Sequence, residues 1–190
     1  MIKCLIVGLL FVLSGAFPDF QFPGSPIKIG RARLASGSPI QAIVVNNKIS
    51  NVCAGGDGEA NAELVCEAVA AALNLEGGVQ SVLPSSTGVI GWRLPSKELA
   101  EEVVPKAVEA LQTDTAFTAA RDIMTTDRYA KLRSKTLSNG ARIVGIAKAS
   151  DDRTEDSILI HVFGDSLAET DLKIIINSTC CKIILGCRHG

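Results

Sequence analysis

The sequence predicts a mixed α/β domain, and three observations lead there. Short apolar runs that read as buried strands alternate with segments whose apolar residues recur at three- and four-residue steps. Turn-forming clusters separate them: Ser36-Gly37-Ser38-Pro39, Gly77-Gly78 and Ser138-Asn139-Gly140. Apolar residues make up 47% of the 190 and charged residues 21%, a balance that excludes a disordered chain and leaves room for one sizeable core.

Lys3 precedes the apolar run Leu5 to Leu13, and Ser14-Gly15-Ala16 supplies small residues after it. That is the form of a secretory signal peptide, too short to span a bilayer; the other reading is a wrongly joined start of the gene. A mitochondrial presequence would be Arg-rich and amphipathic, which this segment is not. Phe17 to Pro26 holds Pro18, Pro23 and Pro26 and reads as irregular or extended. Ile27 to Leu34 is a short amphipathic element. Ile40 to Val45 reads as a buried strand because Ile43, Val44 and Val45 are contiguous.

Asn46 to Gly58 is polar and glycine-bearing, so a loop is expected; Asn46 and Asn47, at the end of a buried strand, read either as orienting an active-site loop or, the better reading, as taking a turn role. A helix follows from about Glu59 to Leu75. Ala62, Val65, Cys66, Val69, Ala72 and Leu73 form its apolar face, Asp57 is the candidate N-cap, and Gly77-Gly78 the stop. Val79 to Leu83 reads as the next strand. Pro84-Ser85-Ser86-Thr87-Gly88 then reads as a turn into a helix capped by Ser96, with Glu98 in its first turn. Pro105 divides that helical stretch into Lys97–Val103 and Pro105–Leu111. Phe117, Ala120, Ile123 and Met124 suggest one more helix. Ser138-Asn139-Gly140 is a hairpin-type turn before a strand over Arg142 to Ala147. Ile158 to Phe163 and Leu172 to Ile176 are strand-like runs without an assignable role.

The net charge of −1 offers no field for nucleic acid, and 4% aromatics offer no stacking platform for bases. Cys66 falls on the apolar side of a helix, where a buried thiol is the default. Cys180, Cys181, Cys187 and His189 fit no standard zinc spacing, so no metal is expected. Asn51 to Gly58 lacks the Lys-Ser/Thr of a P-loop and the spacing of a dinucleotide site. A hydrolase using Ser86 or Thr87 with His161 is the weaker chemical reading, since His161 lies in an apolar run and His189 is next to last. Ser-Ser-Thr-Gly beside an apolar strand can aim backbone N–H groups and a hydroxyl at one point, the arrangement an acyl-transfer enzyme needs for an oxyanion.

Four blocks carry a resemblance. They are Ala42 to Asn47 continuing into Asn51 to Gly58, then Pro84 to Pro95, Asp122 to Asp127, and Arg142 to Lys148. In this order they resemble the ornithine acetyltransferase family, also called the bifunctional glutamate N-acetyltransferases. The resemblance covers residues 22–148, divides the chain into a signal-like or mis-joined segment 1–21, a family-like domain 22–148 and a divergent tail 149–190, and implies a layered α/β (α+β) sandwich. It further implies transfer of acetyl from N-acetylornithine to glutamate in arginine biosynthesis, with acetyl-coenzyme A an optional donor and no bound cofactor. The implied partners are these small molecules, with no nucleic acid and no membrane span. Family members are heterotetramers of self-cleaved chains in the cytoplasm or mitochondria, with an N-terminal threonine as nucleophile in the second chain.

Residue by residue, the resemblance implies that the Thr87 hydroxyl and Gly88 N–H donate to the oxyanion, and that Thr125 and Lys148 contact substrate. Without it, Thr125 is a residue bonding its own backbone and Lys148 a strand-end lysine in water. The Ala-Thr-Met-Leu at which family members cleave does not occur in these 190 residues, so no nucleophile is assigned. Thr154 follows Arg153 and is not a substitute. The expectation is an incomplete, family-half acetyltransferase that is inactive alone; the alternative is a non-catalytic secreted or scaffold relative that keeps only the fold core.

Overall fold

The computed structural model describes residues 3–11, 22–37, 39–112, 115–136, 138, 142–148 and 159–164. Two three-stranded sheets form its frame. In the first, β1 (Lys3–Phe11) pairs antiparallel with β2 (Ile40–Ile49), and β2 pairs parallel with β3 (Val82–Val89). The second is an antiparallel meander of β4 (Lys131–Thr136), β5 (Arg142–Lys148) and β6 (Leu159–Gly164). The helices are α1 (Ser25–Ser36), α2 (Gly58–Ala72), α3 (Ser96–Glu98), α4 (Val104–Glu109) and α5 (Phe117–Asp122). This is the mixed, layered α/β architecture expected from the sequence.

Strand β2 is apolar on both faces because it is buried on both. Ala42 and Val44 face a core built with Val65, Cys66 and Val69 of α2, Leu99 and Val104. Ile43 and Val45 face a second core with Leu83, Ala119, Ala120 and Ile123 around α5, and Ile146 of β5. Alternation along a strand sends successive residues to opposite faces, which splits the contiguous Ile43-Val44-Val45 run between the two cores.

Leu5 to Phe11 of the apolar run lie in β1, in register from Lys3 opposite Asn47 to Phe11 opposite Ile40, and Val12 and Leu13 lie outside the described residues. Several expectations are corrected. Asn46 and Asn47 lie inside β2, not in a turn. Helix α2 ends before Gly77: Asn74 takes the left-handed conformation (φ 52°) that a helix stop needs, a role asparagine fills well. Gly78–Ser81 is a 3-10 turn, so β3 begins at Val82 and carries Ser85-Ser86-Thr87-Gly88 within it. Pro84 is tolerated because β3 is the outer strand of its sheet. That strand packs against α1 and α2, and Val82 to Thr87 are buried. Asp57 makes no side-chain cap bond, and Ser96 is the first residue of α3, whose N-cap is Pro95. Asp57 instead meets exposed Arg93, and the Ser96 hydroxyl donates to Asn61 Oδ1 at 2.7 Å. Pro105 does not break the helix into separate pieces: a π-helical segment, Leu99–Val103, joins α3 to α4 and loosens the turn before the proline ring.

Residues 12–21, 149–158 and 165–190 lie outside the described residues. With them go Ser14 to Ala16, Thr154, the run Leu172 to Ile176, and Cys180, Cys181, Cys187 and His189. His161 falls in β6. Among the described residues no helix is long and apolar enough to cross a membrane, and no group of metal-ligating side chains gathers.

Arg33 of α1 is 1% exposed; it pairs with Glu63 of α2, and its Nη1 lies 3.6 Å from buried Cys66 Sγ. Arg33→Ala would strand a half-buried carboxylate and leave a void between the two helices. Because Glu63 can still reach water, the expected loss is about 2–3 kcal/mol, below the range for a fully sealed pair. Urea unfolding of the variant measures it, and an unchanged midpoint would show the pair to be idle.

Candidate active site

The site forms where β2 and β3 run side by side toward their ends. Their parallel register sets Asn46 beside Ser86, Asn47 beside Thr87 and Lys48 beside Gly88. Alternation places Thr87 on the same face as Leu83, the face that looks toward α5 and the second sheet. Thr87 is 1% exposed, and its Oγ1 is buried with no hydrogen-bond partner among the described residues. Buried hydroxyls are normally paired, so this one stands out as a donor and acceptor the fold does not use.

The register shifts at Lys48/Ile49, where Ile49 faces both Thr87 and Val89. Two left-handed backbones meet there: Lys48 at φ 99° and Gly88 at φ 135°. A side chain on Gly88 would stand 2.1 Å from the Lys48 carbonyl carbon and 2.3 Å from its oxygen. Strained backbone of this kind tends to collect at functional sites, because the surroundings must hold it in place. On the other face of the strands, the Ser86 hydroxyl donates to Asn46 Oδ1 at 2.5 Å, while Asn46 Nδ2 donates to the Ile49 carbonyl at 2.7 Å. That pair braces the shifted register from behind.

A second group comes in from α5 and the second sheet. Asn47 Nδ2 donates to the carbonyls of Asp122 (2.6 Å) and Met124 (2.9 Å), which ties the end of α5 to β2. Thr125 follows directly. It is half-buried, and its N–H donates to Asp127 Oδ2 at 3.3 Å. The other carboxylate oxygen, Asp127 Oδ1, pairs with Lys131 Nζ at 2.5 Å. Lys148, at the end of β5, is 2% exposed, not the solvated lysine that its strand-end position suggests. Burial pushes its ammonium below the usual lysine range; the Asp127 carboxylate opposes that shift and the Lys131 ammonium adds to it.

The four residues carried over from the resemblance thus belong to two clusters joined through Asn47: Thr87 and Gly88 on the strand pair, Thr125 and Lys148 around Asp127. Asp127 and the Asn46–Ser86 brace have no site reading from the sequence, and for Asn46 and Asn47 the orienting of an active-site loop ranks below a turn role. Their one legible signal was Asn-Asn at the end of an apolar strand, where a turn is the usual explanation. A shallow depression of about 270 Å³, lined by Phe22, Pro23, Lys28, Val52 and Cys53, involves none of these residues.

The lowered affinity of Lys148 for its proton has a signed consequence. Between its native value and 10.5, the unfolded chain holds a proton that the folded chain has released. The stability contributed by this group therefore rises with pH across that window, and its burial penalty is fully present below it. In Lys148→Met this rise is expected to vanish. The stability of the variant relative to the native chain should fall as pH climbs from 7 toward 10.5, read by urea unfolding at both ends. A pH-independent difference would contradict the assignment.

A buried hydroxyl and a strained glycine on two paired strands, set in a layered α/β frame, are what these features define. The ArgJ family profile matches residues 7–151, and the chain belongs to that family. The match begins ahead of Phe22 and so takes in part of β1. The arginine biosynthesis bifunctional protein ArgJ of Deinococcus radiodurans is 38% identical over 143 residues, covering 74% of this chain and 35% of that protein. The protein of the same name from Nitratidesulfovibrio vulgaris is 32% identical over 140 residues, covering 72% and 35%. This chain therefore spans about a third of the length of these curated relatives. Among solved structures, the ornithine acetyltransferase of Mycobacterium tuberculosis, complexed with ornithine, superposes with a TM-score of 0.70 at 26% identity, covering 83% of this chain and 92% of that chain. The ArgJ protein of Bacillus halodurans shares the fold, with a TM-score of 0.54 at 18% identity over 87% of each chain.

Proposed function

We propose that this chain supplies the oxyanion-stabilising half of an arginine-biosynthesis acetyltransferase that moves acetyl from N-acetylornithine to glutamate. The observation that carries the reading is the buried, unpartnered Thr87 hydroxyl beside the strained Gly88. In the proposed reaction a threonine hydroxyl, supplied by a second chain, attacks the acetyl carbon. A C–O bond forms, the carbonyl oxygen takes the negative charge, and Thr87 Oγ–H and Gly88 N–H donate to it. The C–N bond then breaks and ornithine leaves, its amine taking the proton that the hydroxyl gave up; the glutamate amine next attacks the acetyl ester, a new amide C–N bond forms, the ester C–O bond breaks, and the proton lost by the amine returns to the threonine hydroxyl. Thr125 and Lys148 bind substrate. A buried ammonium suits a carboxylate, because charge-assisted hydrogen bonds strengthen where water is excluded. Acetyl-coenzyme A is an alternative acyl donor to the same oxyanion site.

The experiment is growth of an arginine auxotroph that lacks this transferase. Two strains are compared: one expressing this chain alone, and one also expressing the part of the Deinococcus radiodurans relative that begins at its cleavage threonine. Growth without arginine only in the second strain supports the reading. Absence of growth in both, with the two chains soluble and associated, would overturn it in favour of a non-catalytic relative. Growth with this chain alone would overturn the half-site part.

A further inference from the structure

We infer that Asn47 is a positioning residue, holding the Met124–Thr125 segment against the strand pair that carries Thr87; the inference rests on the acyl-transfer reading above. Asn47 is 4% exposed and sits beside Thr87 in the β2–β3 register. Both hydrogens of its side-chain nitrogen are used, one on the Asp122 carbonyl and one on the Met124 carbonyl. Those carbonyls lie at and just beyond the end of α5, where a helix has no partners of its own for them. Its Oδ1, by contrast, is buried without a partner among the described residues. The fold accepts the desolvation of that oxygen in order to keep both donors on the loop. Serine or threonine offers one donor at this length, whereas an asparagine nitrogen offers two.

The consequence reaches past α5. Thr125 is the residue after Met124, its N–H is held by Asp127, and Asp127 is the carboxylate whose charge bears on Lys148. One amide on β2 therefore sets where the substrate-contacting group stands relative to the oxyanion donors. A residue that merely capped α5 would affect stability alone. A positioning residue affects substrate binding in protein that is still folded.

The test uses Asn47→Ala and Asn47→Asp in this chain, paired with the second chain described above, in an acetyl-transfer assay. KM for N-acetylornithine is expected to rise on the order of tenfold or more, with kcat changing much less, as lost placement of a binding group requires. A folded variant with unchanged KM, or with kcat reduced and KM unchanged, overturns the inference. Amide hydrogen exchange on the chain by itself supplies a readout that needs no activity: Met124 to Asp127 should exchange faster in Asn47→Ala while β2 and β3 stay protected. Uniform acceleration, or none, overturns it as well. If the native pair transfers no acetyl, the acyl-transfer reading fails and the exchange pattern decides the placement role by itself. If Asn47→Ala does not fold, Asn47→Ser keeps one donor and should show the same pattern in weaker form.

Discussion

Replacing Gly88 by alanine is expected to destabilise the chain by about 3–5 kcal/mol, the sum of a backbone overlap and a left-handed strain. The added methyl would meet the Lys48 carbonyl carbon, oxygen and Cα at 2.1, 2.3 and 2.5 Å. All three are backbone atoms of the neighbouring strand, so no side chain can swing away to make room. The φ of 135° adds strain that only glycine escapes. At this chain length the loss corresponds to a drop of roughly 10 °C in melting temperature. A thermal melt settles it, and a variant melting within 2–3 °C of the native chain would mean that β2 and β3 do not approach as closely as described.

The Thr87→Val variant separates function from stability in the opposite sense. Valine keeps the shape of threonine and deletes the hydroxyl. Because Oγ1 is buried and unpartnered, its removal is expected to leave stability unchanged or raise it by about 1 kcal/mol. If the hydroxyl serves as an oxyanion donor, the same change lowers kcat of the assembled enzyme by about 10²–10³. A stability loss with unchanged turnover would assign the hydroxyl to the fold and remove it from the chemistry.

Much of the frame was legible because its signals are local. The apolar face of α2, from Ala62 to Val69, follows a helical period that needs no knowledge of its partner. The contiguous Ile43-Val44-Val45 run announced a strand buried on both sides. What was not legible depends on distant pairing. Ser85-Ser86-Thr87-Gly88 has the composition of a turn, and only the parallel register with Asn46 to Lys48, some forty residues earlier, makes it strand. Lys3 to Phe11 carries the apolar run of a signal peptide, and its strand character comes from pairing with β2. Asn46 and Asn47 extend β2 past its apolar stretch because Ser86 and the end of α5 take up their amides, contacts invisible to any local pattern. Likewise, the position of Lys148 at a strand end concealed its burial.

The candidate residues themselves came from a resemblance, not from periodicity. The structure adds the physical frame: a hydroxyl without a partner, a glycine that no other residue can replace without displacing backbone, and an amide that joins the two clusters.

The most direct measurement follows a labelled acetyl group by NMR, from [acetyl-13C]N-acetylornithine to glutamate, with this chain purified alone and then mixed with the second chain. The account predicts no labelled N-acetylglutamate from the chain alone, label appearing with the pair, and its loss when Thr87 is replaced by valine. Label transfer by the pair that is indifferent to Thr87→Val would contradict the central claim that this strand stabilises the oxyanion.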